Sequence, residues 1–570
     1  MGRKKVLDVY DFLSPDGLAE EIANKWQTWD SAREQKKKEW RELRNYVYAT
    51  DTRTTSNSVL PWSNSTTTPK ITQIRDNLHA NYFAALFPNR NWMSWVAGDK
   101  ESANIEKAKV VKSYLKTKIE SSDFLLIMED LLDDWILYGN AFAQVIYERD
   151  VSKVGDETIS QYVGPALRRI SPYDIVFNPL ASTFHDSPKI IRKHFSLGDV
   201  RKNWPVMFEK IMKNRGRLKE ASNVYDTSKH NAYTADGFAN LNEYYGSEVV
   251  ECLTFYGDIY DNNTKELKEN VEVKVIDRAY VLEEKKMETW LKGFNLHHIG
   301  WRNRPDNLWG MGPLDNLVGL QYRLDHLENL KADIFDQIAL PMLKVVGEVE
   351  DFEHQPGERI YIGEEGDVSY LNPETTALQA DFQIDVLTQR MEEMAGAPKE
   401  AMGLRTPGEK TAFEVETLAS GANRIFKHKA EHFERKFVEP ILNSMLETGR
   451  RNLDGVDNIR SLDTTTGAVA FQTIEKEDIT ARGNIVPIGA RHFAEKNQRV
   501  RELDNLLQRK VADPSVGQHL SGKKIAQLLA EEIGEGDLFG ENVAISEQME
   551  TQMFAEEVQS LAMEQRQVET

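Results

Sequence analysis

The 570-residue chain is almost free of cysteine; Cys252 stands alone. That excludes an internal disulfide framework and any zinc site built on several thiolates, and it suits a reducing compartment. Long apolar runs are missing too. The greasiest stretch, Phe124 to Phe142, carries Glu129, Asp130, Asp133 and Asp134, which a membrane span of about 20 residues would not tolerate. No secretory leader is expected, because Asp8, Asp11 and Asp16 break up the region after the basic Arg3-Lys4-Lys5. Val6 departs from the myristoylation pattern. Without a leader, the glycosylation-like triplets at Asn64 and Asn262 carry no weight. Positive charge is in deficit: 71 Lys and Arg face 91 Asp and Glu, a net of −20. A basic nucleic-acid binder carries a positive domain or stripe, so simple gripping of nucleic acid is disfavoured. A protein that lets nucleic acid pass remains compatible with this balance.

What is present suits folded cores. Apolar residues make up 40% and charged residues 28%, which argues against wholesale disorder. At roughly 150 residues per domain the length allows about four units, or one large body with appendages. The fold class expected is α+β and helix-rich. Trp26, Trp29, Trp40, Leu43 and Val47 fall near helical spacing, with Arg33, Lys36, Lys37, Lys38, Arg41 and Arg44 read as a solvated face. Residues 51–69 read as a loop. Helices are expected from about Pro69 to Pro88, over 103–119 and over 123–138, with Gly139 as a left-handed cap. From Ala141 the pattern turns to strands, and Val249–Tyr260 with Val271–Val275 reads as a hairpin. Residues 212–245 read as a polar loop or insertion. Leu314, Leu317, Leu320, Leu324, Leu327, Ile334 and Ile338 predict a long helix over 312–340, on the order of 40 Å. A small β-like insert (342–372), a returning helix (375–395), a Gly- and Pro-rich loop and a helix over 410–450 follow. The segment 451–490 reads as mixed and strand-like. The tail from His492 reads as helical and turns acidic, with Lys523, Lys524 and Arg566 against twelve acids over 511–570.

Nothing in the pattern reads as catalytic. Gly403 to Thr411 almost spells a phosphate-binding loop, but Glu409 stands where Lys should follow Gly408, and a helix rather than a strand precedes it. No nucleotide hydrolysis is expected. Gly310-Met311-Gly312-Pro313 is better read as a turn before a helix than as a dinucleotide fingerprint. His297-His298 lacks metal-ligand spacing and a carboxylate companion, and reads as surface or strand. Asp130, Asp133 and Asp134 read as a hydrated helix face rather than a divalent-ion site. No cofactor and no metal is expected.

The order of elements, together with several short stretches, resembles the portal proteins of tailed bacteriophages, especially the larger portals of short-tailed phages. The stretches are Leu137-Tyr138-Gly139-Asn140-Ala141-Phe142; Gly164-Pro165 with Ile170-Ser171-Pro172-Tyr173-Asp174-Ile175 and Asn178-Pro179; Trp301-Arg302-Asn303-Arg304-Pro305 with Trp309-Gly310-Met311-Gly312-Pro313; and Gly396-Ala397-Pro398 with Gly403 and Glu409-Lys410-Thr411-Ala412-Phe413-Glu414-Val415. The likeness spans about 60–500. Each stretch alone is weak, and their order and spacing carry the resemblance.

The resemblance implies a wing (1–311, returning over 451–495), paired stem helices (312–341 and 374–395), a clip (342–373), a tunnel loop and long helix (396–450) and a helical crown (496–570). It implies a non-enzymatic homo-oligomer, a twelve-copy ring at one capsid vertex of the virion, assembled in the host bacterial cytoplasm without membrane contact. The ring would conduct double-stranded DNA during packaging and ejection. Its implied partners are the terminase large subunit, then the head-to-tail adaptor and tail proteins, with the major capsid and scaffolding proteins around it. Arg405, Lys410, Arg424, Lys427 and Lys429 would lie nearest DNA. Gly396, Pro398, Gly403, Pro407 and Gly408 would be hinges of the tunnel loop. An acidic wall with few cations lets DNA slide, because each neutralised phosphate adds affinity. Another head-to-tail adaptor or tail component is the alternative, disfavoured by the paired long helices. A packaging ATPase or nuclease would need an intact phosphate loop or a carboxylate metal cluster.

Overall fold

The computed structural model describes residues 17–48, 64, 66–88, 92–98, 105–154, 157–178, 181, 183–209, 211–212, 249–261, 266–287, 295–339, 341–347, 349, 361–371, 380–396, 425–453, 457–462, 469–480 and 482–489, with isolated positions 503, 506, 525 and 528. The protein mixes helix and sheet, as the α+β expectation requires. Its contacts divide it into two interleaved units. The first comprises Met1–Tyr82, Leu126–Gln144 and Arg168–Lys429; the second comprises Phe83–Leu125, Val145–Leu167 and Ala430–Thr570. Residues 1–311 contribute to both. Among the described residues no helix is long and apolar enough to cross a membrane.

The first unit is built on a five-stranded antiparallel sheet: β4 (Ile175–Phe177), β5 (Lys189–Ser196), β6 (Val249–Asp261), β7 (Glu266–Ile276) and β8 (Tyr280–Lys286), paired in that order. Successive side chains of a strand point to opposite faces, and here both faces are covered. Val176, Ile190, Leu253, Phe255, Val273 and Val275 pack against Leu18, Ile22 and Trp26 of α1 (Leu18–Ala32). The neighbouring positions Ile175, Phe177, Ile191 and Tyr256 pack with Phe142, Ile170 and Leu296. The β6–β7 pairing expected from the sequence forms and extends to Asp261 opposite Glu266.

Helix α2 (Glu34–Tyr48) buries Trp40, Leu43 and Val47 on the expected face. The charged side is a correction. Arg33 and Lys37, read as solvated, are buried, and both pair with Asp30. A long cation can be taken out of water when its head meets a carboxylate, and Asp30 lies within one or two helical turns of both.

Helices α3 (Lys70–Leu86), α4 (Ile105–Ser121) and α5 (Phe124–Leu137) lie close to their expected spans. Gly139, at φ +67°, turns α5 into the strand β2 (Asn140–Val154). Strand β3 (Glu157–Ile170) follows, and β9 (Leu296–Gly300) pairs antiparallel with the first five residues of β2. After α6 (Leu197–Asn203), the polar segment 213–248 lies outside the described residues. The hairpin β10 (Arg302–Arg304) and β11 (Asn307–Met311) leads to α7 (Val318–Ala339). This helix starts later than position 312 because Leu314 to Leu317 form a turn, closed by Leu317 N–H to Leu314 O at 2.9 Å.

In the second unit, β1 (Met93–Ala97) pairs antiparallel with β16 (Gly483–Pro487). Residues 425–452 are helical, with a π turn at Glu434–Val438 before α9 (Glu439–Asn452). The Asn443 amide donates to Ile485 O (3.0 Å) and accepts from Ile485 N–H (2.9 Å), tying α9 to β16. Helix α4 packs beside β1 and β14 (Asp457–Leu462), the latter paired with β15 (Val469–Ile474). Lys118 of α4 bridges the Val163 carbonyl (2.7 Å) and Asp457 (2.6 Å).

Candidate interaction surface

Three of the stretches that carry the resemblance meet at one buried joint. Gly139 sits so close to the turn after β11 that a Cβ there would lie 2.3 Å from Gly312 N. A Cβ on Gly310 would lie 2.6 Å from Gly139 O. Asn140 then pairs with Gly310 edge to edge, donating from Nδ2 to Gly310 O (3.1 Å) and accepting at Oδ1 from Gly310 N–H (2.8 Å). Trp40 fills the joint, with Tyr138, Tyr173 and Trp309 packed 5.4 to 5.7 Å from its ring. Arg33 donates to the carbonyls of Pro172 and Tyr173 and lies 5.2 Å from the Trp309 ring. These residues are committed to packing. Gly310-Met311-Gly312-Pro313 is a turn only in part: Gly310 and Met311 end β11, and Gly312-Pro313 lead from it to the turn before α7.

The neighbourhood refines two readings. His297 and His298 lie on a strand, β9, one of the two placements expected, with His297 buried and His298 half-buried. Burial, and then the nearby His185, pushes both down to about 3, so both are neutral. His298 stacks on Phe142 at 4.5 Å. Of the expected hydrated face, Asp130 is exposed and Asp133 half-buried, but Asp134 is a correction. Asp134 is fully buried and takes a bidentate pair from Arg169 (2.6 and 2.7 Å), while Asp133 takes Arg75 (2.7 Å). Burial pushes Asp134 up to about 6 against the pull of Arg169, so the carboxylate is ionised at neutral pH. Among the described residues no group of three or more His, Cys, Asp or Glu is placed to hold a metal ion.

The surface available to a partner lies further along the chain. Helix α7 buries Leu324 and Leu327, and Leu314 and Leu317 just before it are buried as well. The same apolar stripe then emerges. Ile334 is only half-buried, and Phe335 and Ile338 are exposed. After α7 come β12 (Met342–Val346) and β13 (Asp367–Leu371), an antiparallel pair, and then α8 (Asp381–Ala395), which packs on α7. Between Asn329 and Met391 no described residue is buried. Of the twenty-two large apolar side chains that are exposed among the described residues, thirteen lie from Tyr322 to Met394. Phe382 is 77% exposed and Met342 65%.

Thirteen such side chains, each about half exposed and roughly 150–200 Å² in area, leave on the order of 1,000 Å² of apolar surface along this arm. Soluble monomers rarely leave more than a few hundred Å² in one apolar patch, and a stable interface takes about 800 Å² from each partner. A two-stranded ribbon is also marginal by itself in water. The arm therefore has the composition of a surface that is covered in use.

Of the five cations expected nearest DNA, two are among the described residues. Arg405, Lys410 and Arg424, with the hinges Pro398, Gly403, Pro407 and Gly408, lie outside the described residues. Gly396 caps α8 in the left-handed conformation at φ +74°. Lys427 and Lys429 lie on the 425–452 helix. Lys429 donates to Trp301 O and sits 5.5 Å over that ring, and burial lowers its pKa.

One constellation was missed in the sequence. Gln321, Asp325, Asn329 and Asp333 recur every four residues along α7 and engage Asn64, Thr66, Thr68 and Ile71. The spacing was visible, but the leucine stripe beside it took the attention. The chain matches no protein-family model and no curated protein.

Proposed function

We propose that this chain is a portal-like ring subunit: copies associate around a central passage that conducts double-stranded DNA, and the protein acts by assembly rather than catalysis. One observation carries the reading. The helix, hairpin and returning helix from Val318 to Ala395 leave a run of exposed apolar side chains, with no described residue buried between Asn329 and Met391. Such a surface fits contacts between identical neighbours, with the hairpin 342–371 left at one end for docking partners. The net charge of −20 supports a passage that does not hold phosphates. On this reading the docking partners are a packaging motor and later a tail adaptor.

The test is single-particle electron microscopy with a mass measurement on the full chain at micromolar concentration. A closed ring with a central hole and about twelve times the chain mass is expected. A compact monomer at those concentrations removes the reading.

A further inference from the structure

We propose that α7 carries a docking track for extended backbone, and that Asn64, Thr66 and Thr68 occupy it as a releasable latch whose grip is set by the charge on Asp325. This device is independent of ring formation and of DNA.

The track follows from two periods that nearly coincide. Residues four apart on a helix share a face and rise about 6 Å. Alternate residues of an extended segment are about 6.6 Å apart and point their N–H groups the same way. Here the segment runs antiparallel to the helix. Thr68 N–H donates to Asp325 Oδ1 (3.0 Å), Thr66 N–H to Asn329 Oδ1 (2.8 Å) and Asn64 N–H to Asp333 Oδ1 (2.5 Å). The return bonds run from Gln321 Nε2 to Thr68 O (2.6 Å) and from Asn329 Nδ2 to Thr66 O (2.9 Å). Most of these bonds reach main-chain atoms, so the track reads an extended backbone more than its side chains. About 250 residues separate the two partners along the chain.

The rungs are not equivalent. Asn329 uses both ends of its amide. Asp325 is wholly buried, and only its Oδ1 is used; its Oδ2 is buried with no hydrogen-bond partner. A buried polar atom without a partner costs about 1–3 kcal/mol, and more when charged. An uncharged side chain of the same shape would keep the Thr68 bond without burying charge. Burial pushes Asp325 up to about 6, and Glu328 adds to this, while the bonds from Thr68 and Gln321 act the other way. On α2, the Tyr46 hydroxyl is within reach of the Asp325 charge, and Glu42 and Tyr322 act on that same hydroxyl.

The sign is the reverse of an ordinary salt-bridged aspartate. A carboxyl whose pKa is higher in the latched state than when released favours latching at low pH, and loses that contribution as pH rises through about 6. With the ordinary 3.9 as the lowest released value, the latch should close up to about tenfold more tightly at about pH 5 than at about pH 7.5.

The measurement is hydrogen–deuterium exchange of the full chain, read in peptides covering 64–68 and corrected for intrinsic rates. Up to about tenfold greater protection at the lower pH is expected in the parent. Asp325→Asn should hold that higher protection at both pH values. Asn329→Asp adds a second carboxylate facing the Thr66 carbonyl, so it should lose protection at the higher pH and regain it at the lower. This second variant decides the matter if the first does not fold. Equal protection at both pH values in the parent overturns the latch. So does Asn329→Asp behaving as the parent does. Parallel changes in β6 and β7 peptides would mean global destabilisation, and would also end the proposal.

Discussion

The joint around Gly139 and the arm from Val318 to Ala395 belong to the same unit and use apolar side chains in opposite ways. At the joint, Trp40, Tyr138, Tyr173 and Trp309 close on one another, and backbone approaches backbone where only glycine fits. Along the arm, Phe335, Tyr370 and Phe382 have comparable bulk and stay exposed. The first region uses its apolar surface for folding. The second leaves it exposed, and on the proposed reading that surface serves association.

The largest expected effect tests the joint. Gly139→Val places a side chain against Gly312 at a left-handed position. It should cost more than about 4 kcal/mol, read as loss of soluble folded protein or a collapse of the denaturation midpoint. A midpoint close to the parent's would show that the joint yields. Next comes Arg169→Ala, which strands the buried Asp134 carboxylate. Breaking a fully buried pair costs about 3–5 kcal/mol; a smaller loss is expected here, because Arg169 itself is exposed to water. The pH dependence follows from the raised value of Asp134. Without Arg169 the carboxyl rises further and takes a proton at low pH, so thermal melts should show a smaller loss at about pH 5 than at about pH 8. An equal loss at both would place the penalty elsewhere.

The arm should answer differently. Phe335→Glu with Phe382→Glu should change the unfolding midpoint of the dissociated chain by less than about 1 kcal/mol, because neither side chain is buried. It should nevertheless abolish assembly in sedimentation. Intact assembly in the double variant would place the interface off the arm. The smallest effect is expected from Lys331→Ala. Its partner Asp381 is exposed, and pairs of this kind contribute little. No measurable change in midpoint or assembly is expected by either method.

Local pattern was a good guide wherever a single element decides its own form. Pro69 and Pro88 bracket α3, Gly139 caps α5, and the break at Asp261 ends β6. Long-range partners were not legible. Leucine and isoleucine spacing describes one stripe along α7, but whether a neighbour covers each half depends on distant residues, and only the first half is covered. Lys37 looks hydrated until Asp30 is seen beside it. His297 reads equally as surface or strand until β9 is paired with β2. The polar spacing on α7 has meaning only with residues 64–68 in view. Of the ten residues expected at a DNA passage, seven fall outside the described segments, and Lys429 is engaged with Trp301.

The interleaving of the two units sets a timetable for synthesis. Phe83–Leu125 belongs with Ala430–Thr570, roughly 300 residues later. At about 5–20 residues per second, a ribosome needs on the order of 15–60 s to deliver the second part after the first. For that interval Trp92, Val111, Tyr114 and Leu115, all buried in the finished protein, wait without the helix of α9 or the strand β16. The nascent chain therefore carries a sticky N-terminal fragment for most of its translation. Neither unit exists as one uninterrupted stretch that could be cut out and produced alone.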